Sequence, residues 1–143
     1  MKSLISNTLV ALLLLLATGC EKEKVIAAQD LPATVQTYIS THFTGNSITK
    51  AVKQKDKNEL YEVTLSDGTK LEFNAQNEVI DIDGKSKLPN SVIPNKILDY
   101  VTVNYPSNYI VGWELQNGNQ EVQLNNQTVL LFNSAGDFLK IEE

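Results

Sequence analysis

The sequence predicts an α+β fold: two tandem helix-plus-antiparallel-strand repeats sharing one sheet, with both helices on one face. Three observations lead there. Two short segments have a helical hydrophobic period, and after each the period switches to two. The segments and the strands behind them match each other at a nearly constant offset. Neither half is large enough to bury a sufficient core alone.

The chain opens on an export segment. Lys2 supplies a positive start, and Leu9 to Ala17 is almost wholly apolar, with leucine at every position from Leu12 to Leu16. That run is too short to cross a bilayer comfortably and suits a signal peptide. It ends in Ala17, Thr18, Gly19 and Cys20, which resembles a bacterial lipobox with Ala17 where leucine is commoner. Residues 1–19 are then the leader of a lipoprotein and Cys20 is the lipidation site. The lone cysteine is thereby accounted for as an anchor, not as a redox thiol or a nucleophile. Residues 20–30 read as the acylated Cys and a solvated tether, with Glu21, Lys22, Glu23 and Lys24 alternating in charge.

Residues 31–84 form the first repeat, 85–92 a connector punctuated by Pro89, and 93–143 the second repeat. Leu31-Pro32 matches Ile93-Pro94, and at the same offset Val35 matches Ile97, Tyr38 matches Tyr100, and Phe43 matches Tyr105. Further on, Glu62-Val63 matches Glu121-Val122, Leu71 matches Leu130, and Phe73-Asn74 matches Phe132-Asn133. The offset shortens between the first two strands, where Lys55 to Asn58 makes a longer hairpin loop in the first unit.

In the first unit, Asp30 is read as the N-cap of a helix with Pro32 in its first turn. Val35, Tyr38, Ile39, His42 and Phe43 make one apolar stripe, and Gly45 can end the helix. Strands follow at about 48–54, 60–65, 69–74 and 79–83, with Asp67-Gly68 at the central hairpin. The second helix carries Ile97, Tyr100, Val101 and Tyr105, and Pro106 follows it. Its strands fall at about 109–115, 120–124, 128–133 and 138–141. Asn117-Gly118 and Asn125-Asn126 stand at turns.

This phrase, written twice, resembles the PepSY-like domains whose tandem pair has the fold of the β-lactamase inhibitor protein, common in secreted or lipid-anchored Bacteroidetes proteins. The segments that carry it are Leu31–Phe43, Tyr61–Asn74, Ile93–Tyr105 and Glu121–Asn133. Gln120 and Gln127 depart from the first unit's Tyr61 and Gly68. The resemblance implies a non-catalytic binding module of the envelope. It does not imply a particular target.

Composition narrows the chemistry. A formal charge of −5 and a basic complement with no arginine argue against nucleic-acid binding. His42 is the only histidine, and it lies on a helix stripe beside Phe43. Asp81-Ile82-Asp83-Gly84 has only half of a calcium loop, since the twelfth position is Val92. Lys50, Lys53, Lys55 and Lys57 form a basic run interrupted by Asp56, read as a solvated hairpin. Asn126-Gln127-Thr128 is read as a turn. No cofactor, metal site or catalytic residue is expected, and the chain is not expected to be an enzyme.

One difference between the repeats points to a surface. If Leu71, Phe73, Leu130 and Phe132 face the helices, the other face carries Lys70 and Glu72 in the first unit but Val129 and Leu131 in the second. Phe138 is expected there too, and Trp113 joins the set if its strand runs without a bulge. Trp113, Val129, Leu131 and Phe138 are therefore the candidate partner-binding residues. The expected function is a lipid-anchored envelope module, periplasmic or surface-exposed, that engages or inhibits a protein or peptide through its open sheet face. The membrane enters only through the lipid. An envelope structural or assembly factor is the alternative, and a small hydrolase fits less well.

Overall fold

The computed structural model describes residues 23–54 and 60–142. Residues 1–19, read above as an export leader, Cys20, and Lys55 to Asn58, read as a hairpin loop, lie outside the described residues. The described elements are β1 (Glu23–Ile26), α1 (Ala33–His42), β2 (Ile48–Gln54), β3 (Tyr61–Leu65), β4 (Lys70–Phe73), β5 (Val79–Asp83), α2 (Asn95–Asn104), β6 (Ile110–Gln116), β7 (Asn119–Leu124), β8 (Val129–Phe132) and β9 (Phe138–Glu142). All the strands join one nine-stranded sheet in sequence order, and every neighbouring pair is antiparallel.

The two halves meet at β5 and β6, where Asp81, Ile82 and Asp83 pair with Glu114, Trp113 and Gly112. The backbone ladder therefore continues across the boundary between repeats. Above it, one apolar row crosses the sheet: Ala51, Val63, Leu71, Ile82, Trp113, Val122 and Leu130 stand opposite one another strand by strand. Val35 and Ile39 of α1 and Ile97 and Val101 of α2 pack into this same core. The helices thus share one face. Tyr38 meets the edge of Phe73, and Tyr100 meets the edge of Phe132 in the same T-shaped manner, a favourable geometry for ring quadrupoles.

Two expectations are corrected here. Glu23–Ile26, read as tether, forms the edge strand β1, with Val25 opposite Val52 and Ile26 opposite Ala51. Backbone pairing holds it, and its side chains are mostly exposed, so no hydrophobic period announces it. Asp30 is not the helix N-cap. It ends a 3-10 turn, and the helix begins after Pro32, whose carbonyl accepts from the Gln36 amide at 3.1 Å. Proline suits that place because its φ is fixed and its missing N–H is not needed. α2 starts the same way after Pro94.

The repeated Phe-Asn closes the same turn in both units. The Asn74 side-chain oxygen accepts from the amides of Gln76 and Glu78, and the Asn133 oxygen accepts from those of Ala135 and Asp137. Positive φ falls at matched positions: 62° at Asn77 and 80° at Gly136, 87° at Gly68 and 71° at Gln127. The turn demands a left-handed residue, and each unit meets the demand with a different amino acid. Gln127 carries a Cβ where Gly68 has none, which costs about 1 kcal/mol. We therefore expect Gln127→Gly to stabilise the protein by up to about 1 kcal/mol, measured as an upward shift in urea midpoint at constant m-value.

Candidate functional site

The helix-free face is built by the same registers that build the core. One residue further along each strand, the cross-strand neighbours are Val25, Val52, Glu62, Glu72, Asp81, Glu114, Glu121, Leu131 and Lys140, one from each strand in turn. Five of these in succession, from Glu62 to Glu121, are carboxylates, and they span β3 to β7. The next row runs Lys50, Thr64, Lys70, Asp83, Gly112, Gln123, Val129 and Glu142.

Where the two rows cross the seam there is a shallow depression of about 220 Å³, bordered by Asp81, Asp83, Gly112, Glu114, Glu121 and Val129. Gly112 leaves it open: a Cβ there would stand 3.3 Å from the Gln123 side chain. Like charges directly opposite on a sheet repel. The Asp81 carboxyl is accordingly pushed up to about 6, first by burial and then by Glu72, Glu114 and Asp83. Beside it, Asp83 pairs with Lys85 at 3.7 Å.

The residues singled out from the sequence divide between the two faces. Val129 and Leu131 are half-buried on the helix-free face, alternating with the buried Leu130 and Phe132. Phe138 does not join them. A bulge between Leu131 and Phe132 sets Phe138 opposite Phe132, on the helix side, where it stacks on Tyr100 at 4.6 Å between ring centroids. A bulge adds a residue to one strand and so inverts the alternation beyond it. Val79 is turned inward by the matching bulge in the first unit.

Trp113 is also on the helix side, between Ile82 and Val122. Its indole N–H donates to the Gln120 side-chain oxygen at 3.0 Å. That bond satisfies a glutamine that is buried where the first unit has Tyr61.

The other candidates do not form the sites their motifs suggest. His42 shares a 2.9 Å hydrogen bond with the Ser91 hydroxyl and packs on Tyr38. Asp81 and Asp83 are strand residues of β5, not a calcium loop. Lys53 sits over the Tyr61 ring, 5.6 Å from its centroid, and Asn126 to Thr128 make a turn. Among the described residues, no three acidic, His or Cys side chains are placed to hold one metal ion. The carboxylate row was not visible in the sequence. Each acid shows only an outward parity, and the row exists only once the strands are in register.

Asp81 gives this face a pH signature. Its pKa is raised in the folded state, so between about pH 4 and 6 the native protein binds more protons than the unfolded chain. The contribution of Asp81 to stability is therefore greatest below that window and is lost as pH rises through it. Asp81→Asn is expected to raise the melting temperature at pH 7.5 by about 3 °C, allowing for solvent screening, and to leave it nearly unchanged at pH 4. An equal effect at both pH values in a thermal melt would contradict this.

Comparison with known proteins agrees with the repeat architecture. The family described as beta-lactamase-inhibitor-like, PepSY-like matches twice, over residues 17–80 and 59–140. No curated protein of known function matches the sequence. Among solved structures, a Bacteroides thetaiotaomicron protein described as calcium-regulated and periplasmic is 30% identical, with 87% of this chain and 100% of that one covered at a TM-score of 0.81. A Bacteroides vulgatus protein described as periplasmic is 31% identical, covering 87% of this chain and 100% of its own at a TM-score of 0.80. Another from the same organism, of unknown function, is 31% identical, with 85% and 99% covered and a TM-score of 0.78. Among the described residues no helix is long and apolar enough to cross a membrane. With the repeat, the shared sheet and the double match in agreement, the chain belongs to the beta-lactamase-inhibitor-like, PepSY-like family.

Proposed function

We propose that the chain is an envelope binding module, anchored through Cys20, that engages a protein or peptide through the helix-free face of its sheet. The observation that carries this reading is the carboxylate row from Glu62 to Glu121, which ends against the half-buried Leu131 and Val129. A row of acids at strand spacing, with an apolar end, suits an extended partner bearing lysine or arginine and one apolar side chain. Charge selects and steers such a partner, while the apolar end supplies the buried contact.

Leu131→Asp should weaken crosslinked capture of the partner from the native envelope and leave the melting temperature nearly unchanged. A large loss of stability would mark Leu131 as core, and unchanged capture would remove this face from the reading.

The anchor has its own test. Acylation with more than one chain gives stable membrane attachment, at roughly 0.8 kcal/mol per buried CH₂. Only two residues separate Cys20 from β1, so the lipid would hold the sheet edge within about 10 Å of the bilayer. Cys20→Ser is expected to move the protein from the membrane fraction to the soluble one. Retention of the unacylated variant in the membrane would refute the lipoprotein reading.

A second reading is that cations regulate this face. It is supported by the mutual repulsion around Asp81 and by the description of the Bacteroides thetaiotaomicron relative as calcium-regulated. On that reading, millimolar calcium raises the melting temperature more than sodium chloride of equal ionic strength does, and Asp81→Asn reduces the difference. Equal effects of the two salts would dismiss it.

A further inference from the structure

A second concavity lies on the helix side, away from the carboxylate row and independent of the reading above. It is a cleft of about 290 Å³ between the end of α2, the connector and the start of β6. Leu98, Tyr105 and Tyr109 line it, together with the buried Val101 and Ile110. Lys87 and Asn90 border it from the connector, and no Asp or Glu is among its lining residues. Thr102 and Asn108 also line it, so the wall mixes polar and apolar groups. In a chain with a net charge of −5, an acid-free wall beside a lysine is a local reversal of the prevailing charge. Among the described residues, no carboxylate pairs with Lys87.

The first repeat supplies an internal control. Its counterpart of Leu98 is Gln36, whose side-chain amide donates to the carbonyls of Leu31 at 2.8 Å and Gln29 at 3.3 Å. That glutamine ties the start of α1 to the preceding turn. Leu98 has no polar group to do the same, and its side chain is left to line the cleft. The counterpart of Tyr109 is Ser47, so the aromatic wall is also confined to the second repeat. Two units with the same backbone plan thus differ at this place in the direction of a more apolar cleft with a single cation at its rim.

We propose that this cleft binds a small carboxylic acid with an aromatic body. The ring lies against Leu98, Tyr105 and Tyr109, and the carboxylate is directed to Lys87 and the Asn90 side chain. The volume is at the small end of ligand pockets, which limits the body to about one ring with a short chain. Aromatic walls favour an aromatic body through offset and edge-on ring contacts. The charge selects an acid over its neutral isostere.

The test is an amide chemical-shift titration of the ¹⁵N-labelled protein with 3-phenylpropionate and, in parallel, 3-phenylpropanamide. The acid is expected to shift amides in residues 87–93 and 98–110 saturably, at concentrations up to about 10 mM. The neutral amide should bind more weakly by up to about fivefold, the upper end for one solvent-exposed charge pair. Lys87→Gln, at an exposed position, should bring the acid down to the affinity of its amide. Leu98→Gln, which installs the first repeat's residue, should abolish binding while the remaining resonances hold their positions.

Absence of saturable shifts, shifts centred outside the cleft, equal binding of acid and amide, or an unaltered affinity in Lys87→Gln would each overturn the proposal. Should Leu98→Gln not fold, the Lys87→Gln comparison decides alone.

Discussion

The pairing of β5 with β6 is the contact on which the molecule depends. It is short, with three residues on each side, yet it turns two small units into one sheet. Ile82 and Trp113 face each other across it on the helix side, and both contact the core that α1 and α2 share. Without this seam each helix would cover four or five strands and leave an open sheet edge. Unpaired edges are costly in stability and in solubility. The connector reinforces the join: the Leu88 amide donates to the Ile110 carbonyl at 2.9 Å, and the Leu88 side chain is buried.

The same seam creates the polar face. In a sheet, the register that aligns apolar side chains on one side necessarily aligns their neighbours on the other. Here the inner row is aliphatic apart from Trp113, and the outer row is acidic from β3 to β7. Joining the repeats places Asp81 of one beside Glu114 of the other, and burial first, then the neighbouring carboxylates, hold the Asp81 carboxyl high. This repulsion is a standing cost to the fold.

Duplication explains the two concavities. Both repeats keep the Leu/Ile-Pro start, the helix tyrosine and the Phe-Asn turn, because these positions build the backbone. They diverge where a side chain reaches a surface: Gln36 against Leu98, Ser47 against Tyr109, Lys70 and Glu72 against Val129 and Leu131. The second repeat is the more apolar at each of these places. A tandem fold can vary one copy in this way while the other maintains the frame.

The sequence by itself determined the elements and their two-fold plan. Helix stripes, strand alternation and turn residues are local, and local periodicity writes them directly into the order of amino acids. It also carried the resemblance to PepSY-like domains and the outward parity of Val129 and Leu131. It did not contain β1, whose residues are held by backbone hydrogen bonds and show no burial pattern. Nor did it contain the true sides of Phe138 and Trp113. The alternation past a bulge depends on how two strands pair, and β6 has its own irregularity between Ile110 and Gly112, beyond which Trp113 faces the helix side opposite Ile82 and Val122. The carboxylate row and the cleft beside α2 were likewise decided only in three dimensions. Each is assembled from residues far apart in the chain, and only the registers and the packing of α2 bring their side chains to one place.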